Sequence, residues 1–330
     1  MTILVTGGAG YIGSHMVLNL LDAGETVIVI DDLSTGVAWS VPDGVPLMTG
    51  DVGDQPFVEK VMRDEGISAV IHFAGSIVVP DSVADPLGYY LNNTVKSRAL
   101  IESAVRTGVS HFIFSSTAAV YGIPKENPVS ENTQLQPISP YGASKMMTET
   151  MLDDVARAHD LTFAALRYFN VAGADPEGRS GQSTPRATHL IKVACQAALG
   201  QRSHMAIFGT DYPTPDGTGV RDYIHVSDLA AAHAAALRHL RGGGESVILN
   251  CGYGSGFSVR EVIDVVKAVS GVEFDVRVSE RRTGDPAALV ADVRAIHEEF
   301  DWTPRLNDLR TIVTHALRWE EVLAKRSNAA

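Results

Sequence analysis

Short apolar, β-branched runs that alternate with stretches of helical periodicity constrain this chain more than any other feature. The runs cover residues 2–5, 26–30, 69–73, 111–114 and 163–166. Each run is apolar at successive positions, as expected of strands buried on both faces. Between them, apolar side chains recur at helical spacing in residues 11–23, 55–65, 89–107 and 141–159. The pattern predicts an α/β fold, a Rossmann-type doubly wound parallel sheet with right-handed crossovers.

A glycine-rich turn follows the first predicted strand and opens the first predicted helix. Gly7, Gly10 and Gly13 suit a tight turn, a close approach of backbone to a pyrophosphate, and close packing of helix on strand. The N-terminus of the helix then faces the anion. Asp31 ends the second strand, about twenty residues later, where it can accept hydrogen bonds from the adenosine ribose and repel a 2′-phosphate. A plain turn is the alternative, but this context predicts bound NAD.

Two further strand ends supply candidate cofactor contacts. Asp51 and Val52 end one predicted strand, and Phe73, Ala74 and Gly75 end the next. In open α/β sheets, ligands bind outside the carboxyl ends of the strands. Taken singly, each of these could be an ordinary strand-end turn.

The alternation ends near residue 167, where long loops rich in Gly and Pro begin. Those loops, at 171–185 and 209–219, have the length of lids or binding loops. A predicted helix over 227–241 and a strand over 246–250 return to the first domain. The expected division is a NAD-binding domain of residues 1–170 plus about 219–251, and a smaller, mixed α/β substrate-binding domain of residues 171–218 and 252–330.

Composition limits the kinds of partner that we expect this protein to bind. The net charge is −12 without a basic stripe, which argues against nucleic acid. Cys195 and Cys251 have no paired spacing and the eleven histidines form no ligand pair, so we predict neither a disulfide nor a metal site. The sequence from Met1 lacks a signal-peptide pattern and no apolar run reaches membrane-spanning length, so we expect a cytoplasmic protein without a membrane partner.

A tyrosine and a lysine form the candidate catalytic pair. Tyr141 and Lys145 lie four residues apart, on one face of a predicted helix behind Pro140. A nearby ammonium and the positive nicotinamide both favour the phenolate, which makes Tyr141 a candidate general base. Such a pair also occurs by chance on helix surfaces. The glycine turn and the strand-end hydroxyls of residues 115–117 favour the functional interpretation.

Longer motifs carry a resemblance to a known family. They cover residues 167–170, 207–213, 216–226 and 281–285, in addition to the glycine turn and the Tyr/Lys pair. Through them the chain resembles the extended short-chain dehydrogenase/reductase superfamily nearly end to end. Within that superfamily it resembles the UDP-glucose 4-epimerase family.

The resemblance implies reversible C4 epimerisation of UDP-galactose and UDP-glucose through a transient 4-keto sugar, with tightly bound NAD. Tyr141 and Lys145 would be catalytic, with Thr117 bridging by hydrogen bond. The residues assigned to NAD are Gly7, Gly10, Tyr11, Ile12, Gly13, Asp31, Asp51, Val52, Phe73, Ala74, Gly75, Asn92, Tyr141, Lys145 and Phe169. The residues assigned to the UDP-hexose are Thr117, Tyr141, Asn170, His189, Leu190, Ala206, Phe208, Arg221, Arg282, Asp285 and Leu289. A homodimer through two helices of the first domain is also implied.

Three positions depart from the family pattern. Ile77 replaces a frequent Lys near the cofactor phosphates, and His189 replaces a frequent Asn near the substrate diphosphate, where it could donate the same hydrogen bond. Leu289 is intermediate between the bulky residues that tend to exclude N-acetylated sugars and the small ones that tend to admit them. A C4 epimerase of UDP-GlcNAc/UDP-GalNAc or of another nucleotide sugar is therefore the alternative.

Two other functions fit the residues less well. Related 4,6-dehydratases and decarboxylases typically need a carboxylate beside the strand-end hydroxyl, whereas Ala118, Ala119 and Val120 follow Thr117. A redox sensor that binds NAD without turnover would not need the Tyr/Lys pair together with Arg282 and Asp285.

Overall fold

The computed structural model describes residues 1–184, 187–282 and 284–329. Pro185, at the end of a predicted loop, and Thr283, inside a predicted motif, lie outside the described residues. The strands are β1 (Thr2–Thr6), β2 (Thr26–Asp31), β3 (Leu47–Thr49), β4 (Ile67–His72), β5 (His111–Thr117), β6 (Thr162–Tyr168), β7 (Asn170–Ala172), β8 (Met205–Phe208), β9 (Val220–His225), β10 (Val247–Cys251), β11 (Gly256–Ser258), β12 (Val276–Ser279) and β13 (Ala288–Leu289). The helices are α1 (Tyr11–Asp22), α2 (Gln55–Asp64), α3 (Val79–Ala84), α4 (Pro86–Tyr89), α5 (Lys96–Thr107), α6 (Pro140–Ala158), α7 (Leu190–Ala198), α8 (Val226–Arg241), α9 (Val259–Ser270), α10 (Arg294–Glu299) and α11 (Leu309–Ala329).

A seven-stranded sheet forms the larger layer. Its order is β10-β6-β5-β4-β1-β2-β3, and every pair of neighbouring strands is parallel. The predicted doubly wound parallel sheet is confirmed. β3 is the strand expected just before Asp51 and Val52, and the apolar runs do not include it because this edge strand is only three residues long.

Alternate residues of the central strands bury opposite faces of this sheet. On β1, Ile3 and Val5 pack with the apolar sides of α1 and α8, whereas Leu4 packs with those of α2 and α5. Two cores of this kind require strands that are apolar at successive positions. The predicted apolar runs had this property, and all five fall within observed strands apart from Phe73, which directly follows β4.

The predicted helix over residues 89–107 is interrupted. It consists of the end of α4, a π-helical segment at Tyr90–Val95, and α5. π-Segments inside helices are frequent at functional sites, because the widened turn redirects side chains. Here the segment lies beside α6 and presents Asn92 and Asn93 toward the carboxyl edge of the sheet.

The second part of the chain builds smaller sheets around its own core. β9 lies between β11 and β13 and also pairs with β7. β12 pairs with β8 in a separate two-stranded sheet. A separate apolar cluster lies among α7, α9 and α11. Within residues 219–251, β9 belongs to the smaller sheet, whereas β10 joins the larger sheet and α8 packs on it.

Candidate active site

A cleft of about 940 Å³ opens at the carboxyl edge of the seven-stranded sheet and is bordered by residues of the second part of the chain. Most of the predicted site residues line it, although they come from distant parts of the sequence. Those residues are Gly7, Gly10, Tyr11, Ile12, Gly13, Asp31, Asp51, Val52, Phe73, Ala74, Gly75, Asn92, Thr117, Tyr141, Phe169, Asn170, His189, Arg221, Asp285 and Leu289.

The remaining predicted residues lie outside the lining of this cleft. Lys145 is buried behind it, and Leu190 begins α7 and borders a smaller cavity. Ala206 and Phe208 lie on β8, and the Arg282 guanidinium carbon stacks 3.9 Å from the centre of the Phe208 ring. Substrate contacts by Leu190, Ala206, Phe208 and Arg282 therefore stay predictions.

The glycine turn fits a dinucleotide for steric reasons. A Cβ on Gly7, which has φ +72°, would lie 2.6 Å from Ala74 N, and one on Gly13 would lie 2.1 Å from Gly7 O. Both contacts are too short for any side chain, so the turn lies directly against the end of β4. Gly10 precedes α1 and no side chain caps that helix, which leaves its first N–H groups directed at the cleft. The turn thus has the form of a pyrophosphate cradle.

Asp31 ends β2 at the far end of the same cleft. Its carboxylate accepts hydrogen bonds from Ala9 N at 2.9 Å and Leu33 N at 2.8 Å, so it orients the glycine turn as well as facing the cleft. Burial raises the pKa of Asp31, and these two hydrogen bonds oppose that rise. Each oxygen keeps a second acceptor site, which suits ribose hydroxyls. The donors and acceptors present therefore fit NAD.

Asn93 organises the loop after β4, and the sequence reasoning missed it. Its Oδ1 accepts from Ser76 N at 2.7 Å, and its Nδ2 donates to Ser76 O at 2.9 Å and Ser144 Oγ at 3.1 Å. The side chain is 2% exposed. It therefore ties the cleft loop to α6. The only sequence signal is an asparagine inside a helical stretch, where its propensity is poor.

Tyr141 and Thr117 meet at the centre of the cleft. Thr117 ends β5, and Tyr141 lies in the first turn of α6, which Ser139 caps by accepting from Gly142 N. Burial raises the pKa of the Tyr141 phenol, whereas its hydrogen bond with Thr117 lowers it. The position supports general-base chemistry, but the phenolate needs further positive charge to form near neutral pH.

Lys145 lies one turn beyond Tyr141 on the same helix and is 3% exposed. Its Nζ donates to Ser115 O at 3.0 Å and lies 4.9 Å from the centre of the Phe114 ring. Burial lowers the pKa of Lys145 to about 8, and the charge of Glu149 opposes this shift. The ammonium is thus held beneath the cleft and still bears its charge at neutral pH.

A buried ion pair supports this helix from behind. Arg167 on β6 binds Glu149 through Nε at 2.9 Å and Nη2 at 2.6 Å, and its Nη1 donates to the Tyr121 hydroxyl at 3.0 Å. Glu149 follows Lys145 at helical spacing, which is a signal that the sequence reasoning left unused. The pair fixes α6 against the sheet, and removing one partner would leave a buried charge.

The part of the cleft that is bordered by the smaller sheet carries a cation beside a carboxylate. Arg221 Nη2 lies 3.7 Å from Asp285 Oδ1, and Arg221 on β9 stands beside Leu289 on β13. His189 directly precedes α7. Guanidinium and imidazole donors in this arrangement suit a diphosphate.

The described residues contain neither a metal-ligating cluster nor a membrane-spanning helix. Within the described residues, no cluster of three or more His, Cys, Asp or Glu side chains has the geometry to hold a metal ion. Over the same residues, no helix is both long and apolar enough to span a bilayer.

Comparison with known proteins decides the family. The model of the NAD dependent epimerase/dehydratase family matches residues 3–252. The chain belongs to the NAD-dependent epimerase/dehydratase family. Members of this family use NAD, which agrees with the cradle at Gly7 and Gly13.

Relatives within the family confirm the resemblance read from the motifs. The UDP-glucose 4-epimerase of Azospirillum brasilense is 57% identical over 321 residues, covering 97% of this chain and 92% of that protein. The crystal structure of the Brucella ovis UDP-glucose 4-epimerase with NAD is 41% identical, has a TM-score of 0.94, and covers 96% of this chain and 97% of that one. That of the Bifidobacterium longum enzyme with NAD+ and UDP is 37% identical, with a TM-score of 0.92 and 98% coverage of each chain.

Proposed function

We propose that this protein interconverts UDP-galactose and UDP-glucose by inverting C4 of the sugar. The observation that carries the proposal is one cleft that joins the glycine turn, the Thr117/Tyr141 pair and, across from them, Arg221 and Asp285. A dinucleotide, a proton acceptor and a diphosphate site are the parts that such a reaction needs. The similarity to enzymes of this name over nearly the whole chain supports the same conclusion.

NAD, which Gly7, Gly13 and Asp31 would hold in the cleft, would supply reversible hydride transfer at C4 of the sugar. Tyr141 takes the proton of the 4-hydroxyl and later gives it back, so that no net oxidation occurs. Thr117 bridges the hydroxyl and the phenol by hydrogen bonds. Lys145 stabilises the phenolate by its charge and, through Ser115, is held at a constant position beneath it.

The two ends of the substrate need different degrees of restraint. The sugar must present either face, whereas the nucleotide must stay bound during the inversion. We therefore assign most binding energy to the UDP end, where Arg221 would form a charge-assisted fork with the diphosphate and Asp285 would accept the uridine ribose hydroxyls. Leu289 lines the sugar end and limits its width.

The decisive experiment is incubation of the purified protein and NAD with UDP-galactose, followed by NMR of the sugar anomeric protons. We expect UDP-glucose to appear until both sugars reach equilibrium, without net formation of NADH. Absence of UDP-glucose from protein that retains NAD would refute the proposal. UDP-GlcNAc in a parallel sample tests whether Leu289 leaves room for an N-acetyl group.

We also infer a homodimer through the helices beside the cleft. Leu87, Leu91 and Val95, which are 78%, 54% and 53% exposed, form an apolar stripe along α4 and the π-helical segment. α6 packs against the same segment and exposes Met147. An apolar stripe on paired helices suits a two-fold interface with a second copy of the chain.

The division into domains and the compartment are proposals as well. The separate cluster among α7, α9 and α11 supports a distinct substrate-binding domain, with β9 belonging to its sheet. The buried, unpaired thiols of Cys195 and Cys251 suit a reducing compartment such as the cytoplasm.

A further inference from the structure

A chain of polar contacts connects the main cleft to a smaller cavity next to it, and the mechanism above does not use it. His189 and Gln182 line both spaces. Behind them, Lys192 on α7 forms a buried ion pair with Glu320 on α11. This series of polar contacts therefore extends from the interior of the second domain to the surface where the diphosphate would lie.

The contact between Gln182 and His189 has a defined direction. Gln182 Nε2 lies 2.7 Å from His189 Nδ1. An amide nitrogen can only donate, so Nδ1 accepts and carries no proton. Burial lowers the pKa of His189, and the charge of Lys192 lowers it further. Because Nδ1 accepts, the ring's single proton belongs on Nε2.

Gln182 is itself held in place. Lys192 Nζ donates to the Gln182 backbone carbonyl at 2.7 Å, and the pairing of Lys192 with Glu320 fixes the ammonium. The Gln182 side chain is buried, with 8% of the residue exposed. The backbone and the side chain of Gln182 are therefore both held in place, which fixes the position of its amide against the imidazole.

His189 lines the cleft as well as the smaller cavity. His189 directly precedes α7, and its side chain does not cap that helix. Among the described residues, Nε2 bonds to no protein group, and it is not among the buried polar atoms that lack a partner. An accessible N–H at this position can donate to a ligand in the cleft.

We propose that Gln182 is a positioning residue, which holds His189 in the tautomer with the proton on Nε2 and so presents a neutral hydrogen-bond donor to a diphosphate oxygen of the substrate. The proposal rests on the proposed function, since it requires a UDP-sugar in the cleft. His189 then donates a hydrogen bond as an asparagine amide would. An amide nitrogen always carries its protons, whereas the imidazole needs Gln182 to place its proton on Nε2.

The first test replaces Gln182 with Met, which keeps the length of the side chain and removes the amide. We expect the KM for UDP-galactose and the Kd for UDP to rise about three- to tenfold, the scale of one ordinary hydrogen bond, while kcat stays within about twofold. Ser183→Ala is the matched control. Ser183 is the next residue, bonds Trp319 Nε1 at 3.2 Å and lies outside the cleft, so both constants should stay unchanged.

A double-mutant cycle separates positioning from general packing. In His189→Asn the side-chain amide can donate without any tautomer control, so adding Gln182→Met should raise the Kd for UDP no further. A rise as large as in the wild-type background would overturn the proposal, because Gln182 would then act independently of His189.

NMR of the ring nitrogens tests the tautomer directly. The His189 signals are assigned by their loss in His189→Asn, and we expect a protonated Nε2 and an unprotonated Nδ1 in the free protein. Protonation of Nδ1 instead would overturn the inference. These spectra and the UDP titrations require no turnover, so a protein inactive on UDP-galactose would refute the proposed function without deciding this one.

Discussion

At the scale of single residues, opposing effects on Tyr141 set the chemistry. Burial raises the pKa of its phenol, and the hydrogen bond with Thr117 lowers it. Lys145 adds a positive charge one helical turn away, although burial has already lowered the pKa of that lysine to about 8. The proposed proton acceptor and the cation proposed to activate it thus share one helix face, and both are buried.

Tyr141→Phe removes the hydroxyl that we propose as the proton acceptor and keeps the ring. We expect turnover of UDP-galactose to fall by at least about a hundredfold, the scale of a lost general base, with NAD still bound. The rate is followed by NMR and the bound NAD by its absorbance. Tyr90→Phe, which changes a hydroxyl outside the cleft, is the matched control and should retain its rate.

Lys145→Met tests the activating charge through the pH profile. Without the ammonium, the phenolate loses a stabilising neighbour and the pKa of Tyr141 rises. The acidic limb of the kcat profile, measured at saturating NAD, should therefore shift upward by about one unit or more. An unchanged limb in a slower variant would mean that Lys145 does not act on Tyr141.

Leu289→Ala tests the sugar pocket. Leu289 lies beside Arg221 at the substrate end of the cleft, and trimming it makes room for an N-acetyl group. We expect the ratio of kcat/KM for UDP-GlcNAc to that for UDP-galactose to increase about tenfold or more, given the usual effect of a few methylene groups. Competition between the two substrates in one sample measures the ratio, and a constant ratio would exclude Leu289 as its determinant.

At the scale of elements, the β1–α1 turn is tightly constrained by packing. Gly7, Gly10 and Gly13 lie where the turn, the start of α1 and the end of β4 approach one another, and Asp31 pins the turn from β2. A local sequence motif therefore depends on two neighbouring strands for its shape.

Gly13→Ala would place a Cβ 2.1 Å from Gly7 O. The turn must open, so we expect loss of tightly bound NAD and a lower melting temperature. Gly242→Ala is the control, since Gly242 has φ −76° and its Cβ would come no closer than 3.3 Å to any neighbour. NAD content after gel filtration and thermal unfolding are the measurements. Retention of NAD by Gly13→Ala would show that the turn tolerates a side chain.

At the scale of the whole molecule, the cleft exists only because two parts of the chain face each other. Thr117 comes from β5 of the larger sheet, and Tyr141 comes from the first turn of α6. Arg221, Asp285 and Leu289 come from the smaller sheet and its loops. The proposed dimer places its contact on the outer side of the helices that carry Asn92 and Tyr141.

Leu87→Asp combined with Leu91→Asp tests the dimer. Two charges on the exposed apolar stripe should repel each other across a two-fold axis, so sedimentation should show monomers at concentrations where the unmodified protein is dimeric. Val278→Asp, at a site that is 62% exposed on β12, is the control. An unchanged sedimentation coefficient of the double variant would place the interface elsewhere.

Sequence alone determined the fold class, the glycine turn with Asp31, and the Tyr141/Lys145 pair. These features depend on the spacing of residues within one strand or helix, and the periods of those elements are set by backbone geometry. The boundaries of α1, α2 and α6 were correct to within about a residue for the same reason.

Only the tertiary structure decided which distant residues share the cleft. It assigned β9 to the smaller sheet, placed Asn93 and Glu149 behind the site, and brought Gln182 against His189. None of these follows from a local period, because each depends on how separately formed elements pack and on which polar groups burial forces together. Arg282 belongs to a motif through which the sequence resembles the family, but its side chain stacks on Phe208 and is not part of the cleft lining.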